Sequence, residues 1–371
     1  MKFSILSSEL QKVLGNIGGV IPARSTLPIL ENFYFELSKD KLNITATDLD
    51  VSMTVTLKVN GFEDGKIAVP GKRLFETIRS LPETDVKFTA DLGNNKIVML
   101  TDTGEYRLTG ESSENYPTIP VFKGHDELKI DSETLRRLIN KTVFAVSMDE
   151  LRPAMMGILF QIKQNEIRVV VTDGHRLAKL VNSSFSSGGL EKEVIIPAKA
   201  LNLMVKSIDE SETVIAFNAT HTMFTFGATT LISRMIEEKY PNYESVIPLD
   251  NDKILVINKN QLLSSVRRTA LYASSTTHQV RFSLKKNTMT VSAEDIDFGS
   301  EARENLTCDY SSEALEIGFN SSYIIDILTH IDTDEVSFVF SSPSRASIIR
   351  PIPQREGEDL LMLVMPVRVN S

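Results

Sequence analysis

With 371 residues, an apolar fraction of 42% and a charged fraction of 24%, the chain has the makeup of a soluble globular protein and is too long for one comfortable core. A single cysteine, Cys308, excludes an internal disulfide and a thiolate zinc cluster, and no apolar run approaches the roughly 20 residues needed to span a bilayer. The net charge of −9 argues against a generally basic nucleic-acid binder, so any meeting with DNA requires positive charge gathered on one face.

In chain order, Phe3–Ile21 reads as a strand followed by an amphipathic helix, with Leu10, Val13, Leu14 and Ile17 at helical spacing. Phe33–Leu37 alternates as a strand should, and Ile44–Asp50 runs into a turn at Asp48. Ile67–Leu81 is a short strand, a break at Pro70 and a second helix; the fixed φ of proline suits a helix start, where its missing N–H is not needed. Val86–Ala90 is again a strand, and Tyr116–Pro120 with the polar Lys123–Asp126 makes a linker.

The order then returns. Leu128–Val146 is strand and helix, and Val169–Leu180 is a hairpin turning at Asp173-Gly174. Ile195–Ile208 repeats the strand, break and helix, and Tyr240–Pro248 with Asp250–Lys253 forms a second linker. A third pass gives Leu255–Ala273, Val280–Leu284, a turn at Asp295, and Ile317–Leu328, in which Asn320 can cap by its side chain. The tail Leu360–Val369 alternates poorly and reads as a strand buried on both faces or docked in a groove.

Asp48, Asp173 and Asp295 lie 125 and 122 residues apart, which predicts one domain written three times, over 1–122, 127–248 and 250–371. The predicted class is α+β, each domain built from two βαβββ units with about two helices and eight strands. No segment at the start combines a basic region, a long apolar core and a cleavage site, so a cytoplasmic location is expected.

Five of the six predicted helices carry basic residues on their polar faces: Lys12; Lys72, Arg73 and Arg79; Arg136, Arg137 and Lys141; Lys199 and Lys206; Arg267 and Arg268. The sixth, Ser321–His330, has Asp326 instead. Lysines on solvated helix faces are common, but shared placement across a repeat can line one surface. Such a surface would hold phosphates without reading bases, since no recognition helix, zinc finger or aromatic stacking platform is evident.

Over its whole length the chain resembles the sliding clamps, the β subunits of bacterial DNA polymerase III. The residues carrying the resemblance are Met1–Phe3, Arg24–Leu30, Thr45–Leu49, Thr172–Leu177, Tyr240–Tyr243, Ile317–Asn320 and Val364–Arg368. The resemblance implies three repeated clamp domains forming half of a six-domain ring, a head-to-tail homodimer with helices lining the hole. It further implies encirclement of double-stranded DNA without sequence preference, held by exchangeable phosphate contacts that permit sliding.

For DNA contact the resemblance implies Arg24, Lys72 and Arg73, with Arg136, Arg137, Lys141 and Lys199 on the same basic helix faces. It also implies a DNA-contacting loop, in which Asp149, Pro153 and Ala154 stand where a family member has a glutamine and two tyrosines; Asp149 would repel phosphate. A groove receiving a short peptide from the polymerase catalytic subunit, the clamp loader and other partners would comprise Met155, Thr172, Gly174, His175, Arg176, Leu177, Pro241, Val246, Val364, Met365, Pro366 and Val367. Aliphatic and methionine side chains suit an adaptable apolar pocket. Ser245 stands where some relatives carry arginine. For the ring seam the resemblance implies Leu271 and Tyr272 meeting Arg73 and Tyr106 of the other protomer, although both could equally be helix core residues.

Two other readings remain open. An enzyme is one, but the histidines are scattered and no nucleophile motif, metal-ligand repeat or phosphate loop accompanies them, so no catalytic residue, metal or cofactor is expected. The second is a repeat scaffold that binds only proteins, with Thr172–Leu177 as no more than a tight turn.

Overall fold

The computed structural model describes residues 1–22, 24–120, 122, 126–208 and 212–368. Most of the polar linker segment beginning at Lys123, and the final residues from Val369, lie outside the described residues. Six α-helices occur among those described, two in each third: α1 (Ser7–Ile17), α2 (Gly71–Ser80), α3 (Ser132–Asn140), α4 (Ala198–Ser207), α5 (Lys259–Thr269) and α6 (Ser321–Thr329).

Each helix follows directly on a short strand, as the strand, break and helix pattern predicts. In α1 the stripe Leu10, Val13, Leu14 and Ile17 is buried while Lys12 stays in water. Asn258 and Asn320 cap α5 and α6, their side chains accepting from the N–H of Gln261 at 3.0 Å and Ser322 at 2.9 Å, so donors that a first turn leaves free are satisfied.

Three longer strands follow each helix, giving two βαβββ units per third, with a short extra strand, Asn60–Glu63 or Asp309–Tyr310, in the first and last thirds. The units exchange their opening strands. In the first third, Lys2–Leu6 pairs with Asp85–Asp91 (Phe3 opposite Phe88), while Gly65–Pro70 pairs with Asn32–Ser38 (Val69 opposite Phe33). The third copy does likewise: Lys253–Asn258 joins Glu335–Phe340, and Leu315–Asn320 joins Gln279–Lys285. Alternate residues of these strands fill the cores; Phe3 stacks on Phe88 at 4.8 Å between ring centres, and Phe282 meets Phe319 edge-on at 5.3 Å.

The strands form sheets of five, eight, nine and four strands. The eight-stranded sheet runs from the second third into the first, where Thr229–Arg234 pairs antiparallel with Val51–Lys58. The nine-stranded sheet runs from the second third into the last, where Arg176–Asn182 pairs antiparallel with Glu358–Val364. Two compact units result: Met1–Arg136 with Lys199–Met235, and Arg137–Ala198 with Ile236–Ser371. The tail therefore contains a central strand; Leu360 to Val364 are buried, with neighbours on both sides.

The marking aspartates build the same turn three times. Asp48 Oδ1 accepts from the N–H of Asp50 and Val51, Asp173 Oδ1 from His175 and Arg176, and Asp295 Oδ1 from Asp297 and Phe298. Their recurrence is turn chemistry. The residue after the aspartate sits at positive φ in two of the copies, +82° at Leu49 and +89° at Gly174, which glycine adopts without strain.

Candidate functional site

Within the second unit lies a cleft of about 620 Å³, large enough for several side chains of a bound segment. Met155, Thr172, Gly174, His175, Arg176, Leu177, Pro241, Val246 and Met365 line it, all residues expected from the sequence. Val364 does not line the cleft; it is wholly buried behind it, paired with both Arg176 and Ser347. Pro366 and Val367 run on past the lining, and the Val367 N–H donates to the Gly318 carbonyl at 2.9 Å.

The wall is built by the Asp173 turn. The Thr172 hydroxyl donates to the Arg176 carbonyl at 2.7 Å and accepts from the Gly174 N–H at 3.1 Å, closing the loop over itself. The Tyr240 hydroxyl accepts from the Thr172 N–H at 3.0 Å, and burial pushes that hydroxyl's pKa up, so it stays protonated at ordinary pH. Behind the lining, Leu159, Val170, Ile195, Tyr240, Ile348 and Leu361 form a buried apolar cluster that fixes the floor.

Arg176 lines the cleft but is not free. Its Nε donates to Asp173 at 3.1 Å, one terminal nitrogen pairs with Asp326 of α6, the other donates to the Phe144 carbonyl at 2.8 Å, and the guanidinium lies over Tyr323 at 4.7 Å. Asp326, the acidic exception among the helix faces, thus holds the arginine of the cleft wall. Sequence reasoning missed Asn242, Tyr243, Ile247, Pro248, Leu249, Asp250, Ser344, Arg345, Ala346 and Leu363, which also line it. Several belong to Tyr240–Pro248, whose proline and aromatic pattern could have marked a wall as well as a linker.

The basic residues sort into two classes. Arg24, Lys72 and Arg73 are exposed, and among the described residues their charged groups meet no carboxylate. Arg137 and Lys141 are not outward cations, which corrects the expectation for both. Arg137 donates through Nε to both oxygens of the buried Glu358 carboxylate, at 2.9 and 2.8 Å, and through a terminal nitrogen to Asp332 at 2.7 Å. Lys141 is itself buried, donating to the His330 carbonyl at 2.8 Å and pairing with Asp332. Arg136 donates to the Ile208 carbonyl at 2.8 Å, and Lys199 pairs with Asp48.

In the loop Asp149–Ala154, Arg152 pairs with Asp149 at 2.8 Å and its hydrogen bond, with one from the Leu151 N–H, holds the carboxyl below the usual range. Pro153 is partly buried and Ala154 buried, so neither presents the ring that a tyrosine would. Leu271 and Tyr272 sit in a tight turn after α5, 82% and 44% exposed, which removes the reading of them as core residues. In the first unit, Tyr106 lies on the edge strand Glu105–Thr109. Beside that strand a cavity of about 1120 Å³ is lined in part by Arg73, Phe75, Ile97, Arg107 and Leu108.

Comparison with known proteins accounts for the repeat. Residues 1–120 match the N-terminal domain of the DNA polymerase III beta subunit, residues 129–242 its central domain, and residues 244–368 its C-terminal domain. The chain belongs to the DNA polymerase III beta subunit family. The beta sliding clamp of Pseudomonas aeruginosa is 30% identical over 373 aligned residues, covering both chains completely. Among solved structures, the sliding clamp of that organism superposes with a TM-score of 0.91 at 28% identity, and that of Bacillus subtilis with 0.92 at 25%, each over the full length of both chains. A Bartonella birtlesii clamp bound to griselimycin reaches 0.93 at 28% identity, again over both full chains. Among the described residues no helix is long and apolar enough to cross a membrane.

Proposed function

We propose that the protein is a sliding clamp: a non-catalytic processivity factor that closes as a head-to-tail homodimeric ring around duplex DNA and tethers the replicative polymerase and other partners. The observation that carries this reading is the repeat's pairing scheme. The strand after the aspartate-marked turn of a third, Val51–Lys58 or Arg176–Asn182, pairs with the last strand of the next third, Thr229–Arg234 or Glu358–Val364. Among the described residues the corresponding strand of the last third, Ser300–Thr307, ends its sheet with its outer edge unpaired, and so does the last strand of the first third, Glu105–Thr109. A second copy supplies each edge with the partner that its equivalents already have.

Both edges carry apolar surface. Leu271 and Tyr272 offer exposed apolar knobs in a turn packed against Ser300–Thr307, while the cavity beside Glu105–Thr109 is lined by Phe75, Ile97 and Leu108 together with basic Arg73, Lys96 and Arg107 and acidic Glu31, Glu76 and Glu111. Arg24, Lys72 and Arg73 are the side chains best placed for phosphate contact, and the domain boundaries 1–122, 127–248 and 250–371 and a cytoplasmic location belong to the same reading. The cleft is its peptide groove, taking the polymerase catalytic subunit, the clamp loader and other proteins by short apolar segments.

Retention on DNA tests the reading directly. Protein loaded onto a nicked circular plasmid is expected to co-elute with it through gel filtration and to be lost once the plasmid is linearised. Equal retention on circle and line would favour a surface binder, and no retention on either would favour the protein-only scaffold.

A further inference from the structure

Three basic side chains line the cleft among the described residues: His175, Arg176 and Arg345. They differ in how far each is free to meet a ligand. Arg176 is buried and its guanidinium is occupied by two carboxylates and a carbonyl. His175 stacks against Tyr323, with ring centres 6.0 Å apart. Arg345 stands at the rim with its side chain 49% exposed, and its one ion pair is to Asp250, 2.8 Å away and 63% exposed.

The mount of Arg345 is fixed although its head group is loosely held. Its own N–H donates to the Ser342 carbonyl at 3.2 Å. The side-chain amide of Asn251 donates to the carbonyls of Val339 and Ala346, at 2.9 and 3.0 Å, and so pins both ends of the loop that carries Arg345. An ion pair between two exposed groups is weak and gives way readily to a competing carboxylate. A carboxylate arriving on a segment already seated in the apolar cleft competes at high local concentration.

We propose that Arg345 is the specificity-determining cation of the groove, selecting docked segments that carry an acidic residue beside their apolar anchors. The proposal rests on the reading of the cleft as a peptide groove. The incoming carboxylate takes the guanidinium from Asp250, whose own negative charge then opposes it. Asp250 therefore sets how stringently the acid is read, and the pair acts as a filter for ligand charge.

Fluorescein-labelled peptides with fixed leucine and phenylalanine anchors and Asp, Asn or Lys at each other position in turn provide the test, read by fluorescence anisotropy with the full-length protein. At the most responsive position the Asp peptide is expected to bind about three- to fivefold more tightly than the Asn peptide, with the preference fading as salt is raised. Arg345→Gln should abolish that preference, bringing the Asp and Asn peptides to the same affinity, and an unshifted urea midpoint reports that the variant is folded. Arg345→Glu should favour the Lys peptide, and Asp250→Asn should strengthen binding of the Asp peptide. An Asp-over-Asn ratio that survives Arg345→Gln, or no acid preference in the wild type, overturns the role of Arg345 alone. Failure of every peptide to bind the wild type overturns the groove reading beneath it.

Discussion

The strand pair that joins the second third to the last and the strand that ends the four-stranded sheet occupy the same place in the repeat, yet they live in different environments. Across Arg176–Asn182 and Glu358–Val364, Leu180 faces Leu360 and Ala178 faces Met362, all buried. Arg137 and Lys141 add a charged clasp there, tied to Glu358 and Asp332. Ser300–Thr307 instead alternates exposed and partly exposed residues, and among the described residues no strand pairs with its outer edge. One pairing rule is thus met by packing inside the chain and left to association at its ends. Stability at the first is a folding property, and at the second a matter of concentration.

Substitutions on the two sides should separate accordingly. Leu180→Ala opens a hole in the internal pairing and is expected to cost about 2–5 kcal/mol of folding stability. Its urea midpoint should fall by the same amount at any protein concentration; a cost below about 1 kcal/mol would mean that the junction is not a true core. Leu271→Glu places a charge on an exposed knob and should weaken dimerisation by about 2 kcal/mol, roughly 30-fold in dissociation constant. Sedimentation over a dilution series checks this, with the urea midpoint of the dilute protein expected to stay put.

The smallest effect belongs to the clasp. Burial alone would raise the Asp332 carboxyl, but hydrogen bonds from Lys141 and Arg137 outweigh it and hold the group below the usual carboxylate range. A depressed pKa adds stability above the unfolded value, near about pH 4, and that stability is lost as the pH falls through the folded value. Asp332→Asn should therefore flatten the acid limb of the stability curve below about pH 5. The change should stay under about 1 kcal/mol, because the side chain keeps much of its surface in water. An unchanged acid limb would show that the clasp adds nothing to the junction.

Local features were legible in the sequence. Apolar spacing located all six helices, the Asp173-Gly174 pair located the hairpin that walls the cleft, and Asn320 caps as its position suggested. Each depends on residues a few positions apart. What could not be read was set by partners far along the chain. Nothing near Lys2–Leu6 says that it pairs with Asp85–Asp91, and nothing near Arg137 or Lys141 says that carboxylates at Asp332 and Glu358 will turn them inward. Arg345 escaped notice because it lies in a loop without a counterpart among the repeated motifs.

The two compact units part at three places in the second third, between Arg136 and Arg137, between Ala198 and Lys199, and between Met235 and Ile236, so the first proline-rich connector lies inside one unit. The segment that was copied and the segment that coheres are therefore half a repeat out of phase. An excised third cut at the connectors would carry a raw, hydrogen-bond-hungry border where its neighbour had been, and would be prone to self-associate. That staggering makes the number of copies part of the architecture: shortening the chain by one would not yield a smaller version of the same object.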